Sequence, residues 1–252
     1  MHSTYHSYCE ELYKDWLAQK LKVSKEVEST FVMNALPEPY LTYETGEDTL
    51  YFLATNPGQV NDFQKHENIV SDKSFIKTNN SYYQCASTLG EFYNSLQFSK
   101  KSKSRIEKQQ ELKKLLNKTG LTTLECIPFH SDNLPNKERV INISEPTLNK
   151  YYSELNAFVQ DKSILYISAC STRNSISPET IKNSTWLIWV SKLIGIDHSK
   201  ARLKNIVTNK NGKVTAALYY QKTGKSFKAI SLMMGSNNLP KNLTLIANTL
   251  KS

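Results

Sequence analysis

The chain has 252 residues, 39% hydrophobic and 22% charged, enough for one full α/β core or two small ones and unlike a disordered protein. Lysine and arginine number 32 against 23 acidic residues, and the net charge of +9 favours an anionic partner, nucleic acid first. No apolar run approaches a membrane span and the N-terminus lacks a charged-then-apolar leader, so a cytoplasmic, membrane-free protein is expected.

Residues 5–22 predict a helix, with Leu12, Trp16, Leu17 and Leu21 at helical spacing. Leu36-Pro37-Glu38-Pro39-Tyr40 is extended, because proline pushes its predecessor out of the helical region. The run Leu50 to Ala54 predicts a buried strand ending in Thr55-Asn56-Pro57-Gly58. Residues 59–80 are polar without a helical stripe and predict a surface loop walling a pocket. Helices are expected over Tyr82–Leu96 and through the basic segment 100–118, stopped by Gly120. Leu121 to Ile127 is a second strand, closed by Pro128-Phe129-His130-Ser131.

Pro146 to Val159 is helical, and Ser163 to Ala169 is a third buried strand. Ser177-Pro178-Glu179 opens a helix carrying Trp186, Leu187, Trp189, Val190 and Leu193. Lys204–Thr208 and Val214–Tyr220 flank Asn211-Gly212 and predict a hairpin, since that dipeptide supplies positive φ angles. After Thr223-Gly224 comes the strand Phe227–Met234, then Gly235-Ser236-Asn237-Asn238-Leu239-Pro240 and a last helix. This alternation predicts a single domain over 1–252, a three-layer α/β/α sandwich around a mainly parallel sheet, with an added hairpin near 204–225.

Cys9, Cys85, Cys126 and Cys170 lie far apart with no Cys-x-x-Cys pair, which supports neither a zinc nor an iron–sulfur site; no metal or cofactor is expected. Phosphate-loop and dinucleotide fingerprints are absent. Three strands end in polar turn clusters, at Asn56-Pro57-Gly58, Pro128 to Ser131 and Gly235 to Asn238. If these strands are parallel neighbours, the clusters share one sheet edge, where α/β folds bind ligands.

Leu36-Pro-Glu-Pro-Tyr40 followed by a strand into Asn56-Pro57-Gly58 resembles the first motif of the uracil-DNA glycosylase superfamily. The nearest branches are the mismatch-specific uracil/thymine and single-strand-selective ones, which also read Asn-Pro-Gly. Leu124 to Pro128 resembles the strand that reads the flipped base, and Ser236 to Pro240 stands where the family has its second motif. There the family usually opens with His-Pro-Ser or Asn-Pro-Ser, whereas this chain reads Gly235-Ser236-Asn237. The resemblance implies a monomeric, cofactor-free DNA glycosylase that flips out a damaged, mismatched or modified base and hydrolyses its N-glycosidic bond. The unusual second motif directs the expectation to a modified base in foreign DNA.

In that reading Asn56, Ser236 and Asn237 are catalytic, with Asn56 positioning the attacking water. Gly58, Gln59, Phe63, Thr122, Glu125, Phe129, His130 and Ser131 surround the base, and Asn238, Leu239, Lys241, Lys210, Lys213, Lys101 and Lys103 meet DNA. Several roles stay open. Phe63 and Phe129 stack on the base or are ordinary core and loop aromatics. His130 donates to a ligand or is a satisfied strand-end histidine. Glu125 reads an exocyclic amine or lies in solvent, and Leu239 is a wedge into the DNA stack or the start of the last helix. The competing readings are a glycosylase fold that binds nucleic acid without catalysis and a cysteine hydrolase using Cys170 with His130 or His198.

Overall fold

The computed structural model describes residues 4–42, 50–57, 65–71, 121–132, 136–170 and 175–234. Its elements are α1 (Thr4–Leu17), α2 (Lys25–Thr30), β1 (Tyr40–Thr42), β2 (Leu50–Ala54), α3 (His66–Ser71), β3 (Leu121–Glu125), α4 (Lys137–Ile141), α5 (Pro146–Val159), β4 (Ser163–Cys170), α6 (Pro178–Lys182), α7 (Thr185–Leu193), β5 (Arg202–Thr208), β6 (Val214–Thr223) and β7 (Ser226–Met234). The fold is mixed α/β, with strand order β1-β3-β2-β4-β7-β6-β5. β2, β4 and β7 run parallel, whereas β6 and β5 are antiparallel additions, so the hairpin leaves β5 as an edge strand. The expected helices at 82–96 and 100–118 and the last helix lie outside the described residues.

The chain forms two compact units, one of residues 1–43, 54–93 and 123–158, the other of 44–53, 94–122 and 159–252; the division runs within β2 and β3. In the first unit α1 buries Tyr5, Tyr8, Cys9, Leu12, Tyr13 and Trp16, the stripe that a helical period places on one face. Tyr5 and Tyr151 bring their hydroxyls within 3.2 Å, and the Tyr151 hydroxyl donates to the Glu125 carbonyl at 2.7 Å. These bonds tie α1 and α5 to the end of β3. α5 begins where proline predicts it, and the buried Glu145 carboxylate accepts from Leu148 N–H at 2.8 Å to cap it.

α1 stops short of the expected Lys22 because Gln19 adopts a φ of 54°. Its N–H reaches the Trp16 carbonyl at 3.0 Å and the Lys20 N–H reaches Asp15 at 2.7 Å, the bond pair of a left-handed helix cap. A side chain there costs about 1 kcal/mol relative to glycine. Gln19→Gly is therefore expected to raise stability by about 1 kcal/mol, read as a higher urea midpoint at unchanged slope. α7 closes with the same bonds on Gly195, whose φ is 79°. There Gly195→Ala should lose stability by a similar amount or more, since the new Cβ would sit 3.0 Å from the Gln160 side chain.

Two local expectations change. Residues 66–71 form α3 inside the segment read as loop, and its His66 Nε2 lies 2.9 Å from the Leu17 carbonyl at the end of α1. The single helix expected from Ser177 is two, α6 and α7, because Asn183 and Ser184 interrupt it. Ser184 Oγ accepts from Leu187 N–H at 3.3 Å and so starts a new helix.

In the second unit Leu165, Leu218 and Ala229 form a core on which Phe52, Ile167, Ile206, Tyr220 and Phe227 pack. The hairpin turn is organised by Asn209, whose Oδ1 accepts from the N–H groups of Asn211 at 3.0 Å and Lys213 at 2.9 Å. Gly212 supplies the one positive φ that the turn needs, 73°. Register shifts interrupt the β5–β6 pairing between Asn205 and Thr208.

Candidate functional site

Beyond β2 and β3 the two chain segments stay side by side within the first unit. Cys126 N–H donates to Ala54 O at 2.9 Å and Ile127 N–H to Thr55 O at 3.0 Å. That pairing carries the Asn56 turn against the Pro128–Ser131 turn. The Asn56 amide nitrogen donates to Ser131 Oγ at 2.8 Å and to the Phe129 carbonyl at 3.4 Å. Both bonds leave from the nitrogen, so the amide plane is held with its oxygen on the opposite branch. Asn56 is half-buried, reachable by a small molecule such as water.

Three further candidates surround this pair but lie inside the protein. Phe129 is 2% exposed and packs its ring against Phe31 at 6.0 Å, so it is a core aromatic. His130 is 1% exposed, its carbonyl accepts from Val32 N–H at 2.9 Å, and its Nε2 stands 3.7 Å from Glu38 Oε2. Glu125 is 6% exposed, which overturns its placement in solvent. Burial first, and then the Glu38 carboxylate, push its carboxyl well above the ordinary carboxylate range. Burial therefore favours its uncharged, protonated form. Among the described residues its Oε2 is enclosed and has no hydrogen-bond partner.

Glu38 was not among the expected site residues. Its backbone N–H donates to the Pro128 carbonyl at 2.8 Å, which places its carboxylate under the His130 turn. The residues gave no signal of this: the two flanking prolines fix an extended backbone at Glu38 but not the direction of its side chain.

No family model, curated protein or solved structure matches the chain.

The remaining candidates divide simply. Thr122 lies in β3, with its side chain outside the described set; Gly58, Gln59, Phe63, Ser236, Asn237, Asn238, Leu239, Lys241, Lys101 and Lys103 lie outside the described residues altogether. Lys210 is exposed at the hairpin turn, and Lys213 is half-buried where β6 begins. Cys9 and Cys126 are free thiols whose pKa values burial pushes well up, so neither offers a thiolate near neutrality. Among the described residues no helix is long and apolar enough to cross a membrane, and no group of three or more His, Cys, Asp and Glu is placed to hold a metal ion.

Proposed function

We propose that this chain is a DNA glycosylase with a three-layer α/β/α fold of the uracil-DNA glycosylase kind, in which Asn56 holds the water that attacks the sugar. The observation that carries this reading is the clamp on the Asn56 amide by Ser131 and Phe129. Breaking an N-glycosidic bond develops positive charge on the sugar and negative charge on the departing base, so catalysis is chiefly placement of dipoles and water. A freely rotating amide would place neither. One whose nitrogen is bonded at 2.8 Å presents its oxygen in a set direction. The net charge of +9 supports a polyanionic substrate.

The test is incubation with DNA carrying uracil, mismatched thymine or modified pyrimidines, followed by alkaline cleavage at abasic sites. Cutting on at least one substrate is expected, with a modified base removed faster than plain uracil. Tight binding with no abasic site on any substrate would favour binding without catalysis. The burial of Phe129 and His130, which removes two base contacts from the surface, is the observation on that side.

A further inference from the structure

The second unit contains a cavity of about 360 Å³ formed where α6, α7, β5 and β6 meet. Ile181, Ile188 and Leu203 give it apolar walls, and Lys182, His198 and Tyr219 supply its polar atoms. Lys182 and His198 are exposed, so solvent reaches it. His198 Nδ1 lies 2.9 Å from the Tyr219 hydroxyl, with the rings 5.8 Å apart and inclined by 31°. Burial, and then the nearby Asp197 carboxylate, raise the Tyr219 pKa, so the phenol keeps its proton, and its hydroxyl and Nδ1 share a hydrogen bond whose donor the imidazole tautomer sets. That bond holds the imidazole as a flat ring at the cavity wall.

The charge of this stretch of the second unit is lopsided. Between Ser175 and Met234 the chain has ten lysines and arginines and only two acidic residues, Glu179 and Asp197. Both acids are engaged, Glu179 with Lys182 at 3.0 Å and Asp197 with Lys200 at 3.4 Å. Arg202, Lys204, Lys210, Lys222 and Lys225 are exposed on the hairpins. A ligand suited to this unit has a flat, largely apolar body with a hydrogen-bonding edge and belongs to a polyanion. The volume lies near the lower end of ordinary ligand cavities, roughly 300–1,000 Å³, and suits one base better than a dinucleotide cofactor.

We infer that this cavity receives one unstacked base of a single-stranded nucleic acid, stacked against His198, while the strand's phosphates lie on Lys182 at the cavity wall and on Lys200, two residues from His198. Histidine is among the side chains on which splayed bases stack, and a basic groove beside a stacking ring is how single strands are held without sequence reading. The site shares with the proposed function only its polymer and needs no bond cleavage.

The experiment is titration of the full chain with an undamaged single-stranded thymidylate 15-mer across a salt series, for wild type, His198→Ala, Leu203→Trp, Lys182→Ala/Lys200→Ala and Asn56→Ala. Circular dichroism melting reports whether each variant folds. Loss of the stack should weaken binding about tenfold in His198→Ala, with the salt slope unchanged. Leu203→Trp, which fills the cavity, should do the same. The lysine pair should instead flatten the salt slope by about 0.7 per lysine. Asn56→Ala should bind as wild type, which separates this site from base excision. In wild type the His198 imidazole resonance, assigned by its loss in His198→Ala, should shift on adding the oligonucleotide. An unmoved resonance, or wild-type affinity in both folded cavity variants, overturns the proposal whatever the lysine pair does.

Discussion

Asn56→Ala is expected to lower base release by at least about a hundredfold on whichever substrate wild type cleaves, with DNA affinity unchanged. The clamp gives the reason. Alanine removes the oxygen proposed to hold the water, while Ser131 and the Phe129 carbonyl keep their backbone positions, because the bonds of Cys126 and Ile127 to Ala54 and Thr55 are made by the main chain. Ser131→Ala should have the milder phenotype. The oxygen remains but the amide loses its 2.8 Å anchor, and about a tenfold loss confined to turnover is the expected outcome. Single-turnover cleavage beside equilibrium binding checks both variants. An Asn56→Ala protein that cuts as wild type does would remove the water-holding role assigned to Asn56.

The second large effect concerns stability and pH. A carboxyl whose pKa is raised by burial is protonated in the folded state, yet in the unfolded chain it ionises above about pH 4.3. The folded state thus binds the extra proton, and the contribution of Glu125 to stability is greatest below that pH. It falls by about 1.4 kcal/mol per pH unit as pH rises toward the folded value. Glu125→Gln keeps the shape and removes the ionisation. The variant should therefore match wild type near pH 4 and become progressively more stable as pH rises toward neutral, its unfolding constant separating by about tenfold per unit. Comparing the two proteins cancels other titrating groups that lie apart from this site. Urea unfolding at pH 4, 5, 6 and 7 measures it, and a difference that does not change with pH would mean that Glu125 is already ionised when folded. Glu38→Gln, which removes the second cause, should narrow the window by lowering the folded value.

How much of this was visible in the residues depends on how local each feature is. Asn56-Pro57 follows the end of a strand, Pro146 starts a helix and Gly212 turns a hairpin because each acts on its own backbone, and these positions read directly from the chain. The Asn183-Ser184 break is also local, but an apolar stripe with two tryptophans masked it. Burial of Glu125, Phe129 and His130 is different. A strand end at a carboxylate gives no sign of whether another segment will cover it, and here Glu38 and its flanking prolines do so. The cavity beside His198 draws on four elements and has no motif at all. Its one sequence signal was the concentration of positive charge between Ser175 and Met234.

β5 carries a consequence of a different kind. An edge strand is an open template for another polypeptide, and a straight apolar one invites sheet-to-sheet growth into aggregates. Arg202 and Lys204 stand exposed along β5, and its pairing slips twice before Thr208. A second strand approaching that edge would meet like charges and a kinked backbone. The same basic residues that suit an anionic polymer also keep this open border from sticking to copies of itself.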